Sequence, residues 1–313
     1  MTTWKVLITD GLSDKGIEIL QSTAQVDNKR DISADDLLKV AGEYDAMVVR
    51  GRTKVTAAVF DAAQKLKVVG RAGVGVDNID LTAARNHNVT VVNSPKATSL
   101  AVAELVLGMM FALARMLPKA DATMKQGQWI KKQLQGVELN GKTLGIVGMG
   151  NIGTALATRA TGLGMVVIGY DSLVSADEIN RRGAESVALT ELYARADFIS
   201  FHLPLTPESK GMVNGQAFAQ MKRGVCIVDA ARGGILDETA LLASLETGQV
   251  AAAALDVYAT EPPGLTALVA HPRVVATPHI GAQTAEAQDR AAEDIATEVL
   301  TALRGEPLRW KIV

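Results

Sequence analysis

The stretch TLGIVGMGNIGTALATRATGLGMVVIGYD, Thr143 to Asp171, limits the possible folds more than any other part of the chain. An apolar run, Leu144 to Val147, leads into Gly148, Gly150 and Gly153. A helix-compatible stretch follows, and a second apolar run, Met165 to Ile168, leads to Asp171. Strand, glycine turn, helix, strand and terminal acid in this order predict a dinucleotide-binding βαβ unit. Gly148 permits the tight turn, Gly150 lets backbone approach a pyrophosphate, and Gly153 lets helix and strand pack closely. The helix N-terminus receives the negative charge. Asp171, about twenty residues past the first glycine, suits the adenosine ribose hydroxyls and would repel a 2′-phosphate, favouring NAD over NADP. Expected cofactor contacts here are Gly148, Gly150, Asn151, Ile152, Gly153 and Asp171.

A chain of 313 residues has room for two domains with separate cores. Its 32 basic and 34 acidic side chains leave a net charge of -2, without the concentrated basic surface of a nucleic-acid binder. The single cysteine, Cys226, lies in the apolar run VCIVDA and cannot form an intrachain disulfide. It reads as a buried strand residue, and a reducing, cytoplasmic setting is expected. The opening MTTWKVLITD lacks a charged leader and long apolar core, so no signal peptide is expected. The most apolar stretch, Val102 to Ala114, is interrupted by Glu104 and falls short of the roughly 20 residues of a bilayer-spanning helix. No membrane contact and no metal site are expected.

Strand and helix signals alternate along the whole chain. Strands are predicted at Lys5–Thr9, Ala46–Arg50, Lys67–Arg71 and Val89–Asn93, with helices such as Lys15–Gln21 and Ala34–Ala41 between them. Six more are predicted at Thr143–Val147, Met165–Tyr170, Phe198–His202, Gly224–Asp229, Ala252–Val257 and Val274–Thr277. The pattern is α/β: a Rossmann-type doubly wound parallel sheet inserted in a smaller, flavodoxin-like α/β substrate domain. A helical segment, Ala282–Arg304, and a strand-like tail, Leu308–Val313, are expected to return to the first domain. The boundaries are then 1–97 plus 285–313 for substrate and 98–284 for NAD, with two chain crossings. Leu100–Met116, almost wholly apolar, is expected to serve a homodimer through the nucleotide domain.

Candidate chemistry collects at strand ends. Arg232 in Asp229-Ala-Ala-Arg232-Gly-Gly follows one strand, and its forked donors suit a carboxylate and a carbonyl oxygen. Alone, it could equally be a surface arginine paired with an acid. Glu261, in DVYATEPP, and His279, in TPHIG, follow the next two strands. A histidine beside a carboxylate is held in one tautomer and stabilised as imidazolium when it takes a proton. Alone, His279 could be a satisfied core histidine and Glu261 a solvated loop acid; with Arg232 behind a cofactor motif they form an active-site constellation. His202, in FHLPLT, could line the cofactor site or be structural, while His87 and His271 read as loop residues.

GMGNIG with Asp171, FISFHLPLTPESKGMVN, VDAARGGILDE, DVYATEPP and TPHIGAQTAEAQ together resemble the D-isomer-specific 2-hydroxyacid dehydrogenases over nearly the whole chain. The resemblance implies Arg232, Glu261 and His279 as catalytic residues, with Ala230 and Asp256 near the nicotinamide and His202, Pro204 and Gly281 as further cofactor contacts. It also implies that Gly73, Val74 and Gly75 offer backbone amides to substrate. VRGRTKVT and GRAGVGVDNIDLTAA point within the family to members that oxidise D-3-phosphoglycerate, a step of serine biosynthesis. Arg50, Arg52 and Arg71 are the expected phosphate contacts. The alternatives are a glyoxylate, hydroxypyruvate or other 2-keto acid reductase, and a non-enzymatic, NAD(H)-sensing corepressor-like protein. Three departures are visible: Asn93-Ser-Pro-Lys96-Ala97-Thr98 lacks the Gly-Asn pair common after this turn, IKKQLQG after Trp129 has lysines where arginines are frequent, and no regulatory domain is expected beyond Val313.

Overall fold

Short apolar strands joined by helices cannot pair with their sequence neighbours as hairpins; they pair parallel, with each helix crossing over a sheet face. The computed structural model describes residues 4–313 and divides them into two units. The first residues of the stretch read for a leader, 1–3, lie outside the described residues. One unit is discontinuous, running to Ser99 and resuming at Ala282; the other, the nucleotide unit, is Leu100–Gly281.

In the discontinuous unit the elements are β1 (Trp4–Ile8), α1 (Asp14–Gln21), β2 (Ala24–Asn28), α2 (Ala34–Val40), β3 (Ala46–Val49), α3 (Ala57–Ala62), β4 (Val68–Arg71), α4 (Leu81–Asn86) and β5 (Thr90–Asn93). All pairs are parallel in the order β2-β1-β3-β4-β5, the flavodoxin-like arrangement. β2 is absent from the sequence expectation. Its AQVDN carries only two apolar residues because it lies at an edge with one face open.

The nucleotide unit holds α5 (Ser99–Arg115, entered from the discontinuous unit), α6 (Leu117–Lys125), β6 (Thr143–Val147), α7 (Asn151–Gly162), β7 (Val166–Tyr170), α8 (Ala176–Arg181), β8 (Glu185–Ser186), α9 (Leu189–Arg195), β9 (Phe198–Phe201), α10 (Gly215–Gln220), β10 (Val225–Asp229), α11 (Glu238–Glu246), β11 (Val250–Leu255) and β12 (Val274–Ala276). Its sheet is parallel in the order β12-β11-β10-β9-β6-β7-β8, a doubly wound sheet that reverses direction between β6 and β9. Seven strands stand where six were expected, the extra one being the two-residue edge strand β8. Apolar layers cover both faces, one around Phe201, Phe218 and Leu241, the other around Met110, Leu144 and Leu156. Among the described residues no single helix is long and apolar enough to cross a membrane.

After Gly281 the chain re-enters the discontinuous unit as α12 (Ala285–Arg304). Ala292, Ile295 and Val299 pack on the face formed by Val6, Val48 and Val68. The approach is so close that a Cβ on Gly16 would lie 2.7 Å from Ala292 Cβ, and one on Gly70 would lie 2.5 Å from Val299 Cγ2. Residues 308–313 do not form the expected strand. They contribute one antiparallel bridge, Lys311 to Val92, on the free edge of β5.

Candidate active site

Register places the chemistry. Tyr170, Val147, Phe201, Asp229, Leu255 and Ala276 are paired neighbours across six adjacent strands. The residues that follow them, Asp171, Gly148, His202, Ala230, Asp256 and Thr277, therefore leave the sheet along one edge. At a strand-order reversal, loops on that edge diverge and leave a crevice for ligand.

Gly148 has φ 102, and a Cβ there would lie 2.6 Å from the His202 carbonyl oxygen. A Cβ on Gly153 would collide with the Gly148 carbonyl, so only glycine lets α7 sit this close to β6. Gly150, the N-cap of α7, differs: a Cβ there would meet nothing within 4 Å. That open space lies where first-turn amides and the helix dipole favour an anion. Asp171 flanks it. Its Oδ2 accepts from Met149 N at 2.8 Å and its Oδ1 from Leu173 N at 2.8 Å, which fixes a carboxylate with lone pairs to spare beside the glycine turn. Open cradle, helix terminus and fixed acid fit a dinucleotide. Asn151 and Ile152 begin α7 beside it.

His202 follows β9 with its N–H donated to Val147 O. Its Nε2 lies 3.0 Å from Ser200 Oγ, while Nδ1 is buried without a partner. Desolvation pushes the imidazole down to about 4, so it is neutral at physiological pH. Pro204, exposed two residues later, accepts a hydrogen bond from Ser209 Oγ at 2.7 Å.

Glu261 and His279 meet. His279 Nδ1 is 2.7 Å from Glu261 Oε2, and Glu261 Oε1 accepts from Tyr258 N at 3.1 Å, so the carboxylate is oriented before it orients the ring. His279 has φ 53, a strained region for a side-chain-bearing residue. Asp256, fully buried, holds the turn around it: its carboxylate accepts from Thr277 Oγ1 (2.6 Å), Ile280 N (2.8 Å) and Gly281 N (2.8 Å). Gly281 is thus placed by Asp256. Ala230 is buried at the end of β10. Arg232 extends from the same loop, with Nη1 donating to Ala231 O at 2.7 Å. A Cβ on Gly233 would collide with the Tyr258 carbonyl, which brings the arginine loop against the Glu261 loop. Asp229, buried beneath, is pushed up to about 7 by desolvation despite the Ala231 N–H.

In the discontinuous unit, Arg50 and Arg71 stand at the carboxyl ends of β3 and β4. Burial pushes the Arg50 guanidinium down from its ordinary value, Asp10 offsets this and the cation of Arg30 reinforces it. An anion would relieve both costs. Arg30, which the sequence reading did not single out, packs over Gly11, where a Cβ would lie 2.6 Å from its Nε. Arg52 follows β3 by three residues. Its guanidinium donates to the carbonyls of Thr9 (2.6 Å), Arg30 (2.9 Å) and Ile32 (3.1 Å) and pairs with Asp10 at 3.0 Å. Three of its roughly five donors are committed to bracing these loops. Arg71 Nη1 donates to Ala72 O, and a Cβ on Gly73 would collide with that same nitrogen. Gly73 has φ 137, and Val74 and Gly75 are half-buried beside it.

A parallel doubly wound sheet with an open glycine cradle and a carboxylate–imidazole pair at its strand ends defines a class of nicotinamide-dependent oxidoreductases. Residues 107–281 match the model of the D-isomer specific 2-hydroxyacid dehydrogenase NAD binding domain, and the chain belongs to that family. It is 48% identical over 305 residues to D-3-phosphoglycerate dehydrogenase of Homo sapiens, covering 97% of this chain and 57% of that protein. It is 45% identical over 303 residues to the same-named protein of Methanocaldococcus jannaschii, covering 96% of this chain and 58% of the relative. The chain thus spans little more than half the length of these relatives. A crystal structure of a glyoxylate reductase from Paecilomyes thermophila superposes with TM-score 0.90 at 30% identity, covering 100% of this chain and 99% of that one.

Proposed function

We propose that this protein catalyses the reversible NAD-dependent oxidation of D-3-phosphoglycerate to 3-phosphohydroxypyruvate. The observation that carries the chemistry is the 2.7 Å contact between His279 Nδ1 and Glu261 on the strand-end edge of an NAD-binding domain. NAD, when bound, supplies the hydride acceptor. Glu261 keeps a proton on Nδ1, so Nε2 is the nitrogen that takes the substrate hydroxyl proton as the carbonyl forms. Glu261 then stabilises the imidazolium. Arg232 holds the substrate carboxylate and polarises the forming carbonyl oxygen through its fork of donors. Backbone amides of Val74 and Gly75 offer further donors, the Gly73 N–H being committed to Ser94 Oγ at 2.7 Å, and Arg50 with Arg30 beside it suits a phosphate. The names of the relatives support the phosphorylated substrate.

A glyoxylate or hydroxypyruvate reductase is the second reading, favoured by the commitment of Arg52 to backbone carbonyls and by the similarity to a glyoxylate reductase. NADH oxidation on 3-phosphohydroxypyruvate, hydroxypyruvate, glyoxylate and 2-oxoglutarate separates the two. A specificity constant highest for the phosphorylated acid supports the first, and rates equal or better on the others support the second.

We also infer a homodimer through the nucleotide unit. Phe111 of α5, Val137 and Leu163 line one groove of about 230 Å³, and Leu117, Met124 and Trp129 are exposed nearby in sequence. Exposed apolar surface on this scale suits a second copy of the chain.

A further inference from the structure

The free edge of β5 is covered by the chain that follows α12. The helix ends at Gly305, in the left-handed region with φ 71, and residues 308–313 run back along the strand. Asn93 N donates to Trp310 O at 3.3 Å, Ile312 N to Val91 O at 2.8 Å and Val91 N to Val313 O at 3.2 Å. Leu308 packs with the apolar layer on one side of the sheet and Val313 with the layer on the other, so the tail is seated by its side chains as well.

Glu298 of α12 holds this tail in place. It is 1% exposed. Its Oε2 accepts from Arg309 N (3.0 Å) and Trp310 N (3.2 Å), and its Oε1 from Arg309 Nε (2.9 Å). The Arg309 guanidinium lies 4.3 Å from the Trp310 ring centre. A carboxylate this deeply buried persists only where its charge and lone pairs are matched, and these partners all come from the tail.

The other end of the connection is the substrate loop. Asn93, the last residue of β5, and Ser94 after it are 5% and 0% exposed. Asn93 Nδ2 donates to Val74 O at 2.7 Å, Gly73 N donates to Ser94 Oγ at 2.7 Å, and Ser94 N donates to Gly73 O at 3.0 Å. Two consecutive residues thus clasp the loop backbone, and the first of them gives its own N–H to the tail. The loop needs such support, because at Gly73 it adopts a backbone conformation that side-chain-bearing residues avoid.

We infer that Glu298 and Asn93 are positioning residues for the substrate: Glu298 fixes the tail, the tail fixes Asn93, and Asn93 with Ser94 sets the backbone of Gly73–Gly75. The kinetic consequence rests on the dehydrogenase reading; the structural link does not. The link is therefore tested first by hydrogen–deuterium exchange on the full chain, on Glu298→Gln and on a chain ending at Gly305. Faster exchange at Gly73 and Ser94 in a variant is the expected result. Wild-type exchange at those amides in every variant that folds overturns the link, whatever the enzyme does.

The second measurement is steady-state kinetics with 3-phosphohydroxypyruvate and NADH. Glu298→Gln and Asn93→Ala are expected to raise KM for the keto acid about tenfold, the scale of one or two displaced hydrogen bonds. The Kd for NADH, read by fluorescence, should stay within about twofold, since the glycine motif belongs to the other unit. An unchanged KM, or equal losses of keto acid and NADH affinity, overturns the positioning role. A wild-type chain that reduces no 2-keto acid sinks the dehydrogenase reading instead and leaves the exchange result to decide the link.

Discussion

A histidine in a loop and a glutamate before two prolines are unremarkable apart; at 2.7 Å, with Tyr258 N holding the second carboxylate oxygen, they form an oriented carboxylate–imidazole pair. His279→Ala is expected to lower kcat by about 100-fold to 10,000-fold while NADH still binds, with turnover and fluorescence titration as the paired readouts. Unchanged turnover would remove His279 from the chemistry. Glu261→Gln should give a smaller loss and a shifted pH–rate profile. His202 titrates in the opposite sense to most paired histidines. Its folded value of about 4 lies below the unfolded 6.5, so its stabilising contribution is complete above pH 6.5 and is lost as pH falls toward 4. The slope from this one group is at most about 1.4 kcal/mol per pH unit. His202→Gln should flatten the fall in urea midpoint between pH 7.5 and 4.5; an equally steep fall would assign the acid sensitivity elsewhere.

Among the elements, α7 depends most on single atoms. Gly153→Ala places a methyl group against the Gly148 carbonyl, and the helix can accommodate it only by moving off β6. We expect a loss of about 1–3 kcal/mol in stability and weaker NADH binding, measured by denaturant midpoint and titration. An unchanged midpoint would mean that the glycine is not needed for packing. This element was legible in the sequence because its restraints are local: the turn, cap and following acid lie within thirty residues. β2 and β8 were not legible, since edge strands carry few apolar residues and two-residue strands carry no period at all. The tail misled for a related reason: alternating apolar residues mark a chain that can pair, not how many residues of it do. At the strand ends, the pairing of Glu261 with His279 was legible from their positions after consecutive strands, and the two side chains meet at 2.7 Å. Arg52 showed a charge but not its carbonyl partners, which come from three separate points in sequence, Thr9, Arg30 and Ile32.

At the scale of the whole molecule, the inferred homodimer predicts that Phe111→Asp, which puts a charge into the groove with Val137 and Leu163, halves the mass measured by light scattering. A mass equal to one chain in the wild type would end that inference. The nucleotide unit is an insertion: α12 lies some 190 residues downstream of the sheet it covers. During synthesis, the face of Val6, Val48 and Val68 therefore waits for Ile295 and Val299 to leave the ribosome. At roughly 5–20 residues per second, that is an interval on the order of 10–40 s in which an apolar trough stands open. A nascent chain of this topology is exposed to aggregation and to chaperone capture for that time, whereas the inserted unit, contiguous in sequence, can complete its fold while the trough is still uncovered.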